Sequence, residues 1–315
     1  MTNSSKKVLV FGATGEIGSR IARGCVEAGY ETTGVTRGKN TRDWVNTDGV
    51  EFITGDKGDE GFLESILAKR DFDTIVDTVP TTEHVKLAHK YFNGRIEHYF
   101  MCSSTGTFVP LLHLPADENH PWREKTRVNF YGQSQRDAYA LALWQEQRFP
   151  VTIFRPTNII GPGRVPLELW GGRNILYYRL MRQGKSVEIP VAGNVLIQSG
   201  YNDDLATAFV NAIAKGHEIS GEIFIISCKR AITFDRYFSV AKEVLRSASP
   251  VEYVSIEEVL QRHPGEVSEG GLRFLAEHMC FDIGKAEKVL GYSPRCSTEQ
   301  GLAKALEWCL DQDLL

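Results

Sequence analysis

Three glycines spaced by two residues, Gly12-Ala-Thr-Gly15-Glu-Ile-Gly18, follow directly on the apolar run Val8-Leu-Val-Phe11. In a strand–turn–helix context this spacing can bind phosphate. The first glycine permits a tight turn, the second lets main-chain N–H groups approach a diphosphate, and the third lets the helix lie close on the strand. The start of that helix adds about half a positive charge facing the anion. The sequence therefore points to a dinucleotide gripped by Gly12, Thr14, Gly15, Glu16, Ile17 and Gly18. In NAD sites of this type an Asp or Glu about 20 residues further on takes the ribose 2′-hydroxyl. Here that stretch reads Val35-Thr-Arg-Gly-Lys39, so Thr36 stands where the acid would be. Arg37, with Lys39 and Arg42 nearby, offers a guanidinium suited to a 2′-phosphate. NADP is favoured on this ground, and NAD is the alternative.

The elements that must position these groups alternate along the first half of the chain. Apolar or β-branched runs at 8–11, 31–36, 50–54, 74–78, 98–102 and 151–154 read as strands. Between them lie helical patterns, such as Ile17, Ile21 and Cys25 spaced by four, then Phe62 to Ala68, Glu83 to Phe92 and Tyr131 to Gln147. This rhythm argues for parallel βαβ units, an α/β doubly wound sheet with right-handed crossovers. After Arg155 the rhythm breaks at Gly161-Pro-Gly163 and Gly171-Gly172, and Gly221-Glu-Ile-Phe-Ile-Ile226 reads as a late strand returning to the sheet. The expected organisation is a dinucleotide-binding domain over 1–158 and 195–228, with a smaller mixed substrate-binding cap over 159–194 and 229–315.

The glycine loop and the segments that follow it resemble the extended branch of the short-chain dehydrogenase/reductase superfamily, the NAD-dependent epimerase/dehydratase proteins. The segments are Gly55-Asp56, Cys102-Ser-Ser-Thr-Gly-Thr-Phe108, Tyr131-Gly-Gln-Ser134, Arg155-Pro-Thr-Asn-Ile-Ile-Gly-Pro162, Asp203-Asp204-Leu-Ala206 and Asp282-Ile-Gly-Lys-Ala286. The resemblance covers nearly the whole chain. It implies a Rossmann fold with the cofactor contacted further by Asp56 at the adenine, and by Thr78, Val79, Ser103 and Pro156 at strand ends. It also implies Tyr131 as general acid/base and Thr105 as the hydroxyl that orients the reacting oxygen. The family places a Lys four residues after the Tyr, on the same helix face; this chain has Gln135. Glutamine can hydrogen-bond ribose hydroxyls but cannot favour a phenolate by charge. Arg136 is about 100° round the helix from that position.

Three outcomes are compatible with Gln135: activity through another base, slow activity, or cofactor binding without turnover. His113 and His120, in the loop between Thr105 and Tyr131, are candidate alternative bases or plain loop histidines. The acid pair of the 4,6-dehydratase mechanism is absent, the chain reading Thr105-Gly106-Thr107 there. Substrate contacts implied by the resemblance are Ser104 and Asn158. Gln198 stands where an arginine would clamp a nucleotide-sugar diphosphate, and Met279-Cys280-Phe281 where a second would stand. Arg164, Arg173 and Arg273 could supply charge from elsewhere. Trp170, in Pro166-Leu-Glu-Leu-Trp-Gly-Gly-Arg173, reads either as a lid stacking on a ring or as an apolar anchor. The leading expectation is an NAD(P)-dependent epimerase or oxidoreductase acting on a secondary alcohol of a sugar-like, nucleotide-sugar type of molecule. The alternative is a non-catalytic NADP-binding regulator or scaffold. The family implies a homodimer through the helices at 83–92 and 131–147.

Composition sets outer bounds. The chain has 315 residues, with 36 Lys+Arg against 40 Asp+Glu and a net charge of −4. The isoelectric point near 6.1 and the lack of a basic stripe argue against nucleic acid, although Thr36-Arg-Gly-Lys39 also resembles a chloroplast stem-loop RNA-binding branch of the family. Six cysteines without a C-x-x-C pair read as reduced thiols, and no metal site is expected. No apolar run nears the roughly 18 residues of a membrane span, and no signal peptide is visible, so the expected compartment is the cytoplasm.

Overall fold

The computed structural model describes residues 5–39, 45–67, 69–126, 128 and 130–315. The first half of the chain runs β1 (Lys7–Phe11), α1 (Gly18–Glu27), β2 (Glu31–Thr36), β3 (Glu51–Thr54), α2 (Glu60–Leu67), β4 (Thr74–Asp77), α3 (Thr82–Phe92), β5 (His98–Cys102), α4 (Tyr131–Gln147) and β6 (Val151–Pro156). The chain continues through β7 (Asn158–Ile160), α5 (Ile175–Arg182), β8 (Val187–Pro190), β9 (Leu196–Ile197), β10 (Ser199–Tyr201), α6 (Asn202–Lys215) and β11 (Ile223–Ile226). The chain ends with β12 (Ile232–Thr233), α7 (Phe234–Leu245), β13 (Val251–Val254), α8 (Ile256–Arg262), α9 (Glu269–Leu275), α10 (Gly284–Leu290) and α11 (Thr298–Asp311).

Seven strands form one sheet in the order β3-β2-β1-β4-β5-β6-β11, every pair parallel. Strands buried on both faces must be apolar throughout, which is what Val8-Leu-Val-Phe11 and Ile223-Phe-Ile-Ile226 supply. The order reverses beside β1, so the connections that leave the carboxyl ends of β1 and β4 run to opposite faces of the sheet and leave a crevice between them. On one face Ile17, Ile21, Phe209 and Leu290 close the core; on the other Leu63, Val85, Leu143 and Phe149 do so. Arg20 of α1, itself buried, donates to Asp203 of α6 at 2.9 Å and ties those two helices together.

The cap has its own core, built from Trp170, Tyr177, Phe234, Tyr237, Leu272 and Leu302. Val195 and Ile197 pack into this core, whereas Met279, Phe281, Ala286 and Tyr292 pack onto the large sheet's core. Those contacts cross the sequence-expected boundaries at 195–228 and 229–315. The edge strand β11 is protected rather than bare. Glu118 accepts the Ile225 N–H at 2.8 Å, and Ala116 bridges to Phe281. Burial beside that edge pushes the Glu118 carboxyl above its usual range. Among the described residues, no helix is long and apolar enough to cross a membrane, and no group of three or more His, Cys, Asp and Glu is placed to hold a metal. All six cysteines are free thiols.

Candidate functional site

The turn after β1 needs its glycines for contact reasons. Gly12 sits at φ +78°, and a Cβ there would lie 2.4 Å from the Thr78 hydroxyl. A Cβ on Gly18 would lie 2.1 Å from the Gly12 carbonyl oxygen, so α1 could not start where it does. Gly15 donates its N–H to that same carbonyl at 2.8 Å, which closes the turn. The Thr78 hydroxyl donates to the Phe11 carbonyl at 3.0 Å and joins the ends of β1 and β4.

A cavity of about 400 Å³ opens over this loop, bounded by Gly12, Thr14, Gly15, Thr36, Arg37, Asp56 and Val79 among others. Val79 keeps 61 % of its surface exposed and gives the cleft an apolar wall beside its polar groups. Thr36 lies with its hydroxyl 3.3 Å from that of Thr14 and accepts the Gly38 N–H at 3.1 Å, so a short neutral group ends β2. Arg37 and Lys39 are exposed at the rim; Arg42 lies outside the described residues. Asp56 borders the cavity and accepts the Gly58 N–H at 2.9 Å.

Sequence reasoning missed Lys57. It is buried in the cavity floor, where its ammonium donates to the Asp77 carboxylate and, at 2.8 Å, to the Val79 carbonyl. Asp77 also accepts from the Tyr99 hydroxyl at 3.0 Å and the Val79 N–H at 3.0 Å. Burial lowers the Lys57 ammonium and raises the Tyr99 phenol relative to their ordinary values. Nothing local marks this pair, because Asp77 comes from β4 and Lys57 from the turn after β3. His84 also reaches this cavity, and burial with the Lys57 charge lowers its imidazole.

Tyr131 opens α4, half-buried, and Gln135 lies exposed one turn on. Both border a second cavity of about 730 Å³, together with Pro80, Lys125, Phe130 and Arg136. The helix start is clamped. Phe130 stacks on Phe274 of α9 at 4.8 Å, and its other neighbour is Gly106, where a Cβ would fall 2.6 Å from the Phe130 ring.

Behind this surface is a buried charge network. Arg136 points inward and donates to the Pro80 carbonyl and to Asp137, both at 2.9 Å. Asp137 accepts from the Ser103 hydroxyl at 2.6 Å and from Arg155 at 2.9 and 3.1 Å. The Arg155 guanidinium lies between the rings of Phe108 and Trp122, 4.4 Å from each centroid. The inward turn of Arg136 accords with its angular offset from residue 135.

Several expected site residues are engaged internally. Ser103 is committed to Asp137. Thr105, expected to orient a reacting oxygen, is buried and donates its hydroxyl to the Pro156 carbonyl at 3.3 Å, because a tight 3-10 turn at Thr105–Thr107 tucks it under β6. Ser104 keeps part of its surface and accepts the Gly106 N–H at 3.0 Å. Asn158 is held between Ser199 at 2.9 Å and Arg173 at 3.1 Å. Gln198 is fully buried, bonded to the carbonyls of Cys228 and Phe281 and to the Phe281 N–H, which makes it a brace between β9 and the segment before α10. Trp170 is 1 % exposed, edge-on to Tyr177 and 4.0 Å from His263, so the structure makes it an anchor of the cap core and not an open lid. His120 is also buried, accepting from the Leu112 N–H at 2.9 Å and lying 2.9 Å from the Pro121 carbonyl. Arg273 pairs with Glu257 and Glu269 at the cap surface.

Two family models match the chain: the NmrA-like family over residues 4–131, and the NAD dependent epimerase/dehydratase family over residues 81–227. The chain is 28 % identical over 316 residues to the chloroplast stem-loop binding protein of 41 kDa b of Arabidopsis thaliana, an alignment covering 95 % of this chain and 78 % of that protein. It is 23 % identical over 335 residues to dTDP-D-glucose 4,6-dehydratase of Mus musculus, covering 96 % of this chain and 88 % of that one. The crystal structure of a dTDP-glucose 4,6-dehydratase from Bacillus anthracis in complex with NAD superimposes with a TM-score of 0.77 at 18 % identity, covering 98 % of each chain. Over these two segments the chain is thus similar to the NmrA-like and NAD dependent epimerase/dehydratase families, and its fold is that of solved epimerases and dehydratases.

Proposed function

We propose that the protein is an NAD(P)-dependent epimerase or oxidoreductase that moves a hydride to and from a secondary alcohol of a nucleotide-sugar type of molecule. The observation that carries this reading is the cavity over Gly12, Thr14 and Gly15, continued past Val79 and Pro80 by the cavity that Tyr131 and Gln135 border. A dinucleotide laid along that path puts its diphosphate on the loop amides and its adenine near Asp56 and Val79. The nicotinamide end then lies by Tyr131. Tyr131 passes the hydroxyl proton, and Gln135 hydrogen-bonds the ribose. Ser104, the hydroxyl at the end of β5 that keeps exposed surface, orients the reacting oxygen in place of Thr105. When bound, the nicotinamide accepts the hydride. Arg37 and Lys39 at the rim, with Thr36 where an acid would be, favour NADP over NAD. The acid pair of the dehydratase mechanism is absent, Gly106-Thr107 standing there, so epimerisation or simple oxidoreduction fits better than loss of water. A homodimer through α3 and α4 completes the reading.

Turnover of a panel of UDP- and dTDP-sugars, measured for wild type and Tyr131→Phe, tests it. The expected result is activity on one member of the panel that Tyr131→Phe lowers by at least about 100-fold, the scale of general acid–base catalysis. A second reading is favoured by the neutral Gln135: a dinucleotide-binding protein without turnover. It predicts dinucleotide binding unchanged by Tyr131→Phe and no activity on any panel member.

A further inference from the structure

We propose that Arg164, at the start of the cap loop, is a ligand of the dinucleotide's diphosphate, and that Glu16 holds this arginine at the loop until the anion arrives. The proposal rests on the dinucleotide reading above. Glu16 stands inside the glycine loop, between Gly15 and Ile17. Its side chain is 7 % exposed, and its Oε1 is buried with no hydrogen-bond partner among the described residues. Its Oε2 lies 3.5 Å from Nη1 of Arg164, well beyond the roughly 2.7–2.9 Å of a good charge-assisted bond. A desolvated, half-satisfied carboxylate in a loop built to receive an anion is a cost twice over, from lost hydration and from like charge. The arrangement makes sense if the carboxylate's partner is shared with the ligand.

Arg164 is placed for that exchange. It is 54 % exposed and follows Gly163 at φ +103°. The preceding carbonyl, of Pro162, accepts from Arg20 of α1 at 2.8 Å and from Asn202 of α6 at 2.9 Å. The backbone is therefore pinned beside the glycine loop while the guanidinium remains accessible. Arg173, the other nearby arginine, donates to the Val165 and Ile159 carbonyls and to Asn158, so three of its five N–H groups are already used. A diphosphate offers more charge and more acceptor oxygens than one carboxylate and suits a bidentate guanidinium. Arg164 transfers from Glu16 to the diphosphate, which links the cap loop to the bound cofactor.

Calorimetric titration of NADPH and NADH into wild type, R164Q and E16Q tests this, with adenosine 2′-monophosphate as a probe that lacks the diphosphate. R164Q is expected to weaken both dinucleotides by about tenfold, the loss of one charge-assisted contact, and to leave the monophosphate unchanged. E16Q is expected to tighten the dinucleotides by about threefold, because a competing negative charge is gone. Wild-type affinity in R164Q overturns the role of Arg164, as does an equal loss for dinucleotide and monophosphate. Weaker dinucleotide binding in E16Q overturns the role of Glu16. A wild-type protein that takes neither dinucleotide overturns the dinucleotide reading and this proposal together, whereas unchanged binding in R164Q overturns this proposal alone.

Discussion

The two ends of the cleft treat the same kinds of residue differently. At the glycine loop Arg37 and Lys39 stay exposed at the cavity rim, which Thr14 and Asp56 also border. At the ends of β5 and β6, and in the cap, the hydroxyls, amides and arginines are taken up by the protein itself. Ser103 and Arg155 converge on Asp137, Thr105 bonds to Pro156, and Gln198 braces Phe281. A residue type tells what chemistry is available, but its partners decide whether that chemistry is free for a ligand. The first end leaves Arg37 and Lys39 exposed, and the second spends most of its polar groups on holding β5, β6 and α4 in one geometry.

The sharpest way to break this contrast is Asp137→Ala. It leaves the buried guanidinium groups of Arg136 and Arg155 without their counter-ion, and unfolding in urea should show a loss of about 3–5 kcal/mol. A loss under about 1 kcal/mol, the scale of a surface pair, would mean the network is not a structural lock. At the other end, Gly18→Ala drives a Cβ into the Gly12 carbonyl and should weaken dinucleotide binding by at least about 100-fold, or about 3 kcal/mol, in a calorimetric titration. Unchanged affinity would show that the loop is not the grip.

The cap supplies a pH test. Burial raises the Glu168 carboxyl to about 7, although the N–H groups of Trp170, Gly172 and Asn174 oppose that shift. Its folded value lies above its unfolded one, so the folded state binds the extra proton. Stability attributable to Glu168 is present at low pH and lost as pH rises from about 4.5 to about 7, by about 3 kcal/mol at most. Thermal melts across that window should show the slope in wild type and a flatter profile in Glu168→Gln; identical slopes would contradict it. The smallest effect is expected of Arg37→Ala, a loss of about tenfold for NADPH with NADH nearly unchanged, read by parallel titrations. Equal losses for both would remove the 2′-phosphate role.

Much of the first half of the fold was legible in the sequence because its strands are short apolar or β-branched runs and α1 carries a clear helical period. The sequence-read bounds of β5 and α4 coincide with the structure's, at His98–Cys102 and Tyr131–Gln147. The glycine loop was legible for the same reason, since its function is local. What could not be read were pairings made across the sheet. Lys57 meets Asp77, Arg155 meets Asp137, and Gln198 meets Phe281, each through tertiary contact between segments with no shared local pattern. The burial of Thr105 likewise depends on where β6 ends relative to the 3-10 turn. For Trp170, just ahead of Gly171-Gly172, the sequence left a lid and an apolar anchor equally open. Gly171 lies so close to the Gly271 backbone that a Cβ would sit 2.3 Å from it, which seats the loop in the cap core.

The account turns on one measurement, a calorimetric titration of NADPH into the wild-type protein. It should give a saturable signal with one dinucleotide per chain, carried by main-chain amides of the Gly12–Gly18 turn. A titration with no binding heat across several temperatures would contradict the assignment of that turn, and with it the hydride chemistry placed at Tyr131.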